Sequence, residues 1–518
     1  MNNYQIISLL IPSLTEDEHK HVRKLIAIQG AQNNKLLKVF DEIWKKKNKG
    51  QEEIIAKVYG DISKANLDAF RKLCERLLLK IFDSLVENDD FKDDTENYSE
   101  LFRSRQFVKR QILLYHFLVI KGLPDSWLRK FILKLIEICS DNEFLEDEFL
   151  LQRQLSLLHL RDNDGKGAIE INLTMEKLSK SMICVIKSEF HIFKYIDQVQ
   201  YKSIDDRSLI IGMKEAIIEV KGYYNETKLN NILYFQLMLE LQLSHYEENY
   251  TYAENLLFRL IHLTESNKSV RYLSRISINY MNLAYTQFFL HKFEEAFENS
   301  KKASKVFLTH VNDLNIYKEA SVFALVYLKK YAEAEEVLQQ ILDSGSLGNK
   351  PEQLSKRHII MAVIKYLQGE YKSAFKHLQQ TKEVETDREG WNLGIRMMNI
   401  YLTLSTEKIE LADQRIGSMR KHIERTAKMR HLRKRDVVIF RILSQLSRSG
   451  FDFKEVWEER RKDFNLLRSD QSDYRWVPRS HELIIFDQWF EARMKGIPYE
   501  PVFPKPAESK AVDKKSAE

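Results

Sequence analysis

His19 and His21, flanked by Glu16 and Glu18, are the nearest this sequence comes to a metal-binding or acid–base cluster. On a helix, residues two apart point to different sides, so this spacing is poor ligand geometry. His291, His310, His358 and His377 are scattered, with no carboxylate or cysteine at metal-ligand spacing. The phosphate-cradling patterns G-x-x-x-x-G-K-[ST] and G-x-G-x-x-G do not occur, nor do the nucleophile elbow G-x-S-x-G or the zinc motif H-E-x-x-H. Cys74, Cys139 and Cys184 are isolated and form no C-x-x-C pair, so each reads as a small buried apolar residue. The expectation is a chain that is not an enzyme, with no cofactor and no metal.

Charge offers a second kind of chemistry. The stretch 415–435 carries Arg415, Arg420, Lys421, Arg425, Lys428, Arg430, Arg433, Lys434 and Arg435 against Glu424. Such a run could neutralise phosphates of a nucleic acid, dock an acidic protein, or be a solvated helix face. It lacks the interleaved aromatics of a single-strand stacking platform. Over the whole chain, 81 basic and 75 acidic residues leave only +6. That near balance points to solubility rather than to a polyanion partner. A helix-turn-helix could be drawn at 55–73, but Asn66 falls where a buried residue belongs.

The elements that would carry these residues are helices. Of 8 prolines in 518 residues, only Pro12, Pro124 and Pro351 precede Pro478, so the body is open to long helices. Ser13-x-x-Glu16 and Thr15-x-x-Glu18 are overlapping capping boxes. Leu36, Leu37, Phe40, Ile43 and Trp44, then Leu67, Phe70, Cys74, Leu77, Leu78 and Ile81, recur at helical spacing. The predicted organisation is an N-terminal helical module over 1–95, divergent helical hairpins over 96–240, clearer repeats over 241–450, capping helices over 451–496, and a disordered tail over 497–518. The longest apolar run, Ile112–Ile120, is nine residues and holds His116, whereas a bilayer span needs about 20. The N-terminus has no basic region or cleavage site of a signal peptide, so a cytoplasmic protein without membrane insertion is expected.

A recurring alanine organises the middle of the chain. Tyr250-x-x-Ala253, Phe293-x-x-Ala296, Tyr331-x-x-Ala334, Tyr371-x-x-Ala374 and Ile409-x-x-Ala412 each put a large apolar residue three before an alanine, and the alanines lie 43, 38, 40 and 38 apart. A further copy is suggested near Gly165–Ala168. The best unit, Tyr280-x-x-Leu283-Ala284 followed by Phe293-x-x-Ala296 and Ala303, resembles the tetratricopeptide repeat (TPR). His358-x-x-Met361-Ala362 with Tyr371-x-x-Ala374 is a second copy, in which Thr381 replaces the last small residue. The resemblance covers roughly 240–420 and implies an all-α fold, a right-handed superhelical solenoid of TPR-like hairpins. The N-terminal module, with Ser13–Glu18, Lys35–Asp41 and Leu78–Leu85, resembles one that precedes degenerate TPR arrays in uncharacterised bacterial proteins.

The resemblance also implies a partner-binding inner face made by the first helices. Met281, Tyr285, Phe288 and Phe289, then Ile359, Val363 and Tyr366, then Met397 and Tyr401, fall there. They are apolar or aromatic, unlike the Lys and Asn of carboxylate-clamping TPRs, and suit an apolar or helical peptide segment. The same spacing equally describes side chains packed against the next helix. The reading is a non-catalytic scaffold or adaptor that binds a protein or peptide. The alternatives are a peptide-sensing regulator and a nucleic-acid-associated protein acting through 415–435.

Overall fold

The computed structural model describes residues 2–14, 16–28, 35–45, 50–87, 99–201, 207–306, 311–344, 351–383, 390–429, 433–471 and 473–503. Within these, every regular element is helical, and the chain divides into two compact units, Met1–Gln106 and Phe107–Glu518.

The first unit holds α1 (Asn3–Leu10), α2 (Glu16–Ile28), α3 (Lys35–Lys45), α4 (Gln51–Tyr59) and α5 (Lys64–Glu87). Asn2 and Gln5 cap α1 reciprocally, each side chain taking the other's backbone N–H, at 2.9 and 2.8 Å. The apolar stripes expected on α3 and α5 meet in one core of Ile7, Ile11, Val22, Ile26, Phe40, Ile43, Phe70, Leu77 and Ile81. Cys74 lies in that core, and burial pushes its thiol up to about 12. Thr15 and residues 88–98 lie outside the described residues.

The second unit begins inside α6 (Glu100–Ile120) and continues with α7 (Asp125–Asp141), α8 (Leu145–Arg161), α9 (Gly165–Tyr201) and α10 (Arg207–Thr227). Five hairpins follow: α11 (Asn230–Tyr246) with α12 (Tyr250–Ser266), α13 (Leu273–Phe289) with α14 (Phe293–Val306), α15 (Val311–Tyr327) with α16 (Tyr331–Asp343), α17 (Pro351–Leu367) with α18 (Tyr371–Leu378), and α19 (Trp391–Ser405) with α20 (Ile409–Met429). The unit closes with α21 (Lys434–Arg448), α22 (Phe453–Glu459), α23 (Arg461–Leu467) and α24 (Phe486–Lys495).

One turn, repeated, makes these hairpins. Glu248, His291, Lys329, Gly369 and Glu407 all adopt positive φ, between 55° and 79°, and each stands five residues before one of the recurring alanines. The next residue's N–H bonds back to the carbonyl five earlier: Asn249 to Ser244, Lys292 to Gln287, Lys330 to Leu325, Glu370 to Lys365 and Lys408 to Thr403, all at 2.8–2.9 Å. This is the Schellman closure, which satisfies a carbonyl left over at a helix end. The alanines Ala253, Ala296, Ala334, Ala374 and Ala412 are all fully buried, as close approach of two helices requires. Asn163, with φ of 58°, repeats the turn five residues before Ala168, so the copy suggested near Gly165 shares the geometry.

Within the capping helices expected over 451–496, the last helix starts at Phe486, and His481 and Glu482 before it enter a buried ion-pair cluster. The disordered tail expected from 497 is corrected for Ile497–Phe503: Tyr499 and Phe503 pack against the main core, and the Tyr499 hydroxyl accepts the Ile485 N–H at 2.9 Å. Residues 504–518 lie outside the described residues.

Candidate interaction surfaces

The expected inner face is assembled, but it is covered. Met281, Phe288, Ile359, Val363, Tyr366, Met397 and Tyr401 are each at most 6% exposed and belong to one core. The chain's own segment 474–503 lies against Phe288, Tyr366 and Tyr401 of this set. Arg479 lays its guanidinium 3.5 Å from the centroid of the Tyr285 ring, and its N–H donates to the Tyr327 hydroxyl at 2.6 Å. The Trp489 indole N–H donates to the Tyr366 hydroxyl at 2.8 Å, and its ring lies 4.5 Å from that of Tyr401. Arg493 donates to the Leu404 carbonyl at 3.0 Å. Segment 474–503 therefore reaches α13, α15, α17 and α19 in turn, and the open groove is corrected to a filled one.

Glycine permits the closest of these approaches. A Cβ on Gly394 of α19 would stand 2.8 Å from the His481 carbonyl oxygen, and one on Gly390 would stand 2.6 Å from the His481 ring. Of the remaining inner-face residues, Tyr285 is half-buried under Arg479, and Phe289 is half-buried and stacks on Tyr250 at 4.4 Å.

An ion-pair cluster locks the segment to α21. Arg435 is 1% exposed and spends all five N–H donors. Two go to Glu482 at 2.6 and 2.8 Å, one to Asp487 at 3.0 Å, and two to the carbonyls of Leu467 and Tyr474 at 2.7 Å. Beside it, Asp436 receives Arg433 at 2.7 and 3.0 Å and faces His481 at 3.2 Å. Burial alone would raise the Asp436 pKa, but His481 and Arg433 hold its carboxyl well below the usual carboxylate range. For Asp487 burial dominates, and its carboxyl is raised despite Arg435 and Arg468.

This cluster splits the basic stretch. Arg433 and Arg435 are consumed by it, which corrects their expected role as phosphate or acidic-partner contacts, while Lys434 pairs with Asp473 at 2.6 Å and stays largely exposed. Arg415, Arg420 and Lys421 are exposed on α20. Arg430 and the side chains of Arg425 and Lys428 lie outside the described residues.

A cavity of about 1230 Å³ opens between the α11–α12 and α13–α14 turns and the C-terminal segment, lined by Glu248, Tyr250, Phe289, His291, Arg475 and Gln488 among others. Burial lowers the His291 pKa to about 4. His358 and His377 face each other at 3.3 Å across α17 and α18, and burial lowers both. Among the described residues, no group of three His, Cys, Asp or Glu is placed to hold a metal ion, and no helix is long and apolar enough to cross a membrane.

Sequence reasoning missed a second surface. Most large apolar side chains left exposed in the described residues fall between Phe107 and Ile218. On α9, Cys184, Ser188, Ile192 and Tyr195 face the core, while Ile183, Ile186, Phe190 and Phe193 are 53–64% exposed on the opposite side. On α10, Leu209, Met213, Ala216 and Val220 face the core, while Ile211 and Ile218 are 57% and 72% exposed. The two helices run antiparallel side by side, fixed by His191–Glu219 at 3.0 Å and by Lys187 over the Tyr223 ring. Both stripes therefore open on the side away from the core. The 3-4-3 spacing on α9 was the available signal, since 184, 188, 192 and 195 already form a complete buried stripe.

No protein-family model matches the chain, and no curated protein does. Solved structures are similar to it, two of them as follows. One is the TPR domain of P58(IPK), at 11% identity over 74% of this chain and 98% of that one, with a TM-score of 0.21. The other is a signal-transduction ATPase with numerous domains and a tetratricopeptide repeat sensor from Pyrococcus horikoshii, at 14% identity, with a TM-score of 0.25. That match covers 73% of this chain and 65% of the ATPase chain. At these TM-scores neither superposition adds weight to the fold, which rests on the repeated turn and its buried alanine. The class these features define is an all-α array of TPR-like helical hairpins.

Proposed function

We propose that this protein is a non-catalytic scaffold that binds a protein partner through the outer face of α9 and α10. The supporting observation is the stripe of Ile183, Ile186, Phe190 and Phe193 beside Ile211 and Ile218, all more than half exposed. Contiguous exposed apolar surface of this kind raises the free energy of the isolated chain and is relieved when a partner covers it. A helix with an apolar seam at 3-4-3 spacing suits a helical partner, whose own seam interdigitates with it. Three buried free cysteines fit a reducing compartment, and the cytoplasm is the location this reading assigns.

A nucleic-acid role is the weaker reading, because three of the nine basic residues that motivated it are held in ion pairs. The test is affinity capture with the wild-type chain and with an Ile186→Glu/Phe190→Glu double variant, each with and without nuclease. Both positions are exposed, so the variant keeps its fold. The scaffold reading expects a protein retained by the wild type in either condition and lost by the variant. Identical recovery by both chains would contradict it. So would retention that nuclease or an Arg420→Glu/Lys421→Glu variant abolishes.

A further inference from the structure

The residues Ile497–Phe503 read Ile-Pro-Tyr-Glu-Pro-Val-Phe and form no helix or strand. They are held the way a groove holds a peptide ligand. The Gln488 side chain takes the main chain of Val502 from both sides: its amide N–H donates to the Val502 carbonyl, and its oxygen accepts the Val502 N–H at 2.8 Å. This reciprocal pairing reads an extended backbone without regard to its side chains. Phe503 enters a cage of three rings: Phe293 at 5.4 Å, Tyr327 at 4.9 Å and Trp476 at 5.6 Å between centroids. Tyr499, four residues earlier, sends its hydroxyl to the Ile485 N–H, and burial pushes its pKa well above the usual tyrosine value. Glu500 lies 3.7 Å from Lys329 at the solvent edge.

Two aromatic anchors in separate enclosed sites, with main-chain capture between them, are the features by which short peptides gain affinity. The prolines at 498 and 501 restrict the free segment, so less entropy is lost when it seats. The groove does not end where the segment does. Ile497, Pro498, Glu500 and Val502 form one wall of the 1230 Å³ cavity, which leaves room for a ligand larger than the resident one.

We infer that the surface formed by Phe293, Tyr327, Trp476, Ile485 and Gln488 is a binding site for an extended protein segment of the pattern aromatic-x-Pro-x-aromatic, occupied here in cis by Tyr499–Phe503. A partner bearing such a segment displaces the resident one, and tethering sets the threshold for that exchange: a short linker gives an effective concentration on the order of millimolar. This site is separate from the α9–α10 stripe and does not depend on it.

The experiment uses the full chain with a protease site inserted after Gly496, an exposed residue at positive φ. After cleavage, a fluorescently labelled synthetic peptide of sequence IPYEPVF is titrated in. The inference expects the cleaved chain to keep its helical circular dichroism and bind the probe saturably, the uncut chain to bind at least tenfold more weakly, and a Phe→Ala probe to lose at least tenfold. A Gln488→Ala chain, cleaved in the same way, must also bind more weakly. Loss of helical structure on cleavage would overturn the inference, because the segment would then be part of the core. So would a folded, cleaved chain that does not bind the probe, or one that binds the Phe→Ala probe equally well.

Discussion

Replacing Arg435 with methionine removes five hydrogen bonds at once and leaves Glu482 and Asp487, 2% and 4% exposed, without their main counter-charge. Asp487 keeps Arg468 at 3.2 Å, and Glu482 keeps the Phe486 N–H at 3.0 Å, so neither carboxylate is wholly abandoned. Breaking a buried pair from one side costs about 3–5 kcal/mol, because desolvation of the remaining charge is no longer offset. Lysine cannot substitute, since three donors on a point charge do not reproduce the planar fork. The loss is local to the contact of α21 with residues 467–487, so the assay is amide hydrogen exchange followed by mass spectrometry on peptides from that stretch. When exchange follows the opening equilibrium, about 3–5 kcal/mol appears as roughly a hundredfold to several-thousandfold faster exchange. Exchange in α11–α14 should hardly change. A triple variant, Arg435→Met/Glu482→Leu/Asp487→Leu, should recover much of the protection, because removing a whole buried network is far cheaper than removing half. Less than a tenfold change in Arg435→Met, or a triple variant worse than the single one, would refute the view that this cluster fastens the segment.

Two further outcomes follow from the repeated turn and from a buried imidazole. Glu407 carries a positive φ of 57° that glycine adopts without strain, so Glu407→Gly should stabilise the second unit by about 1 kcal/mol, read as a rise of about 1–2 °C in its melting temperature. The reverse change, Gly369→Ala at 79°, should lower it, and opposite signs would contradict the turn assignment. His245 joins α11 to Thr286 of α13 at 2.8 Å, and burial lowers its pKa to about 4. The unfolded chain takes up that proton near 6.5 and the folded one only near 4, so stability is full above 6.5 and lost as pH falls between those values. By pH 5 the loss is about 2 kcal/mol, and a His245→Gln chain should show a flatter dependence in urea titrations at pH 7 and 5.

The periodic alanines were legible in the sequence because the constraint behind them falls on residue type: only a small side chain lets two helices of a hairpin touch. The turn before each alanine was not legible. Its left-handed position holds Glu248, His291, Lys329 and Glu407, and a glycine only at 369, so no residue type marks it. The residues expected on the inner face lie on α13, α17 and α19, but the segment packed there was not legible, because 474–503 is ordered by partners far away in sequence. Arg479 reaches Tyr327 and Phe503 reaches Phe293, while the local run of prolines and charges has the composition of a free chain. Arg435 was misread for the same reason, since its carboxylates, Glu482 and Asp487, lie about fifty residues on, whereas Arg433 pairs with Asp436 only three residues away. The α9–α10 stripe was overlooked because an apolar residue on a helix is by default assigned to the core.

The central claim is that the first-helix face of the array is closed by the chain's own residues 474–503. Its most direct measurement is hydrogen exchange of the intact wild-type chain across peptides spanning that segment. The backbone N–H groups of Arg479, Ile485 and Val502 donate to side-chain oxygens of Tyr327 on α15 and of Tyr499 and Gln488 within the segment, so these peptides should exchange slowly, at rates comparable to α13–α19. Exchange at the rate of an unstructured peptide across 474–503 would leave the face open and contradict the account.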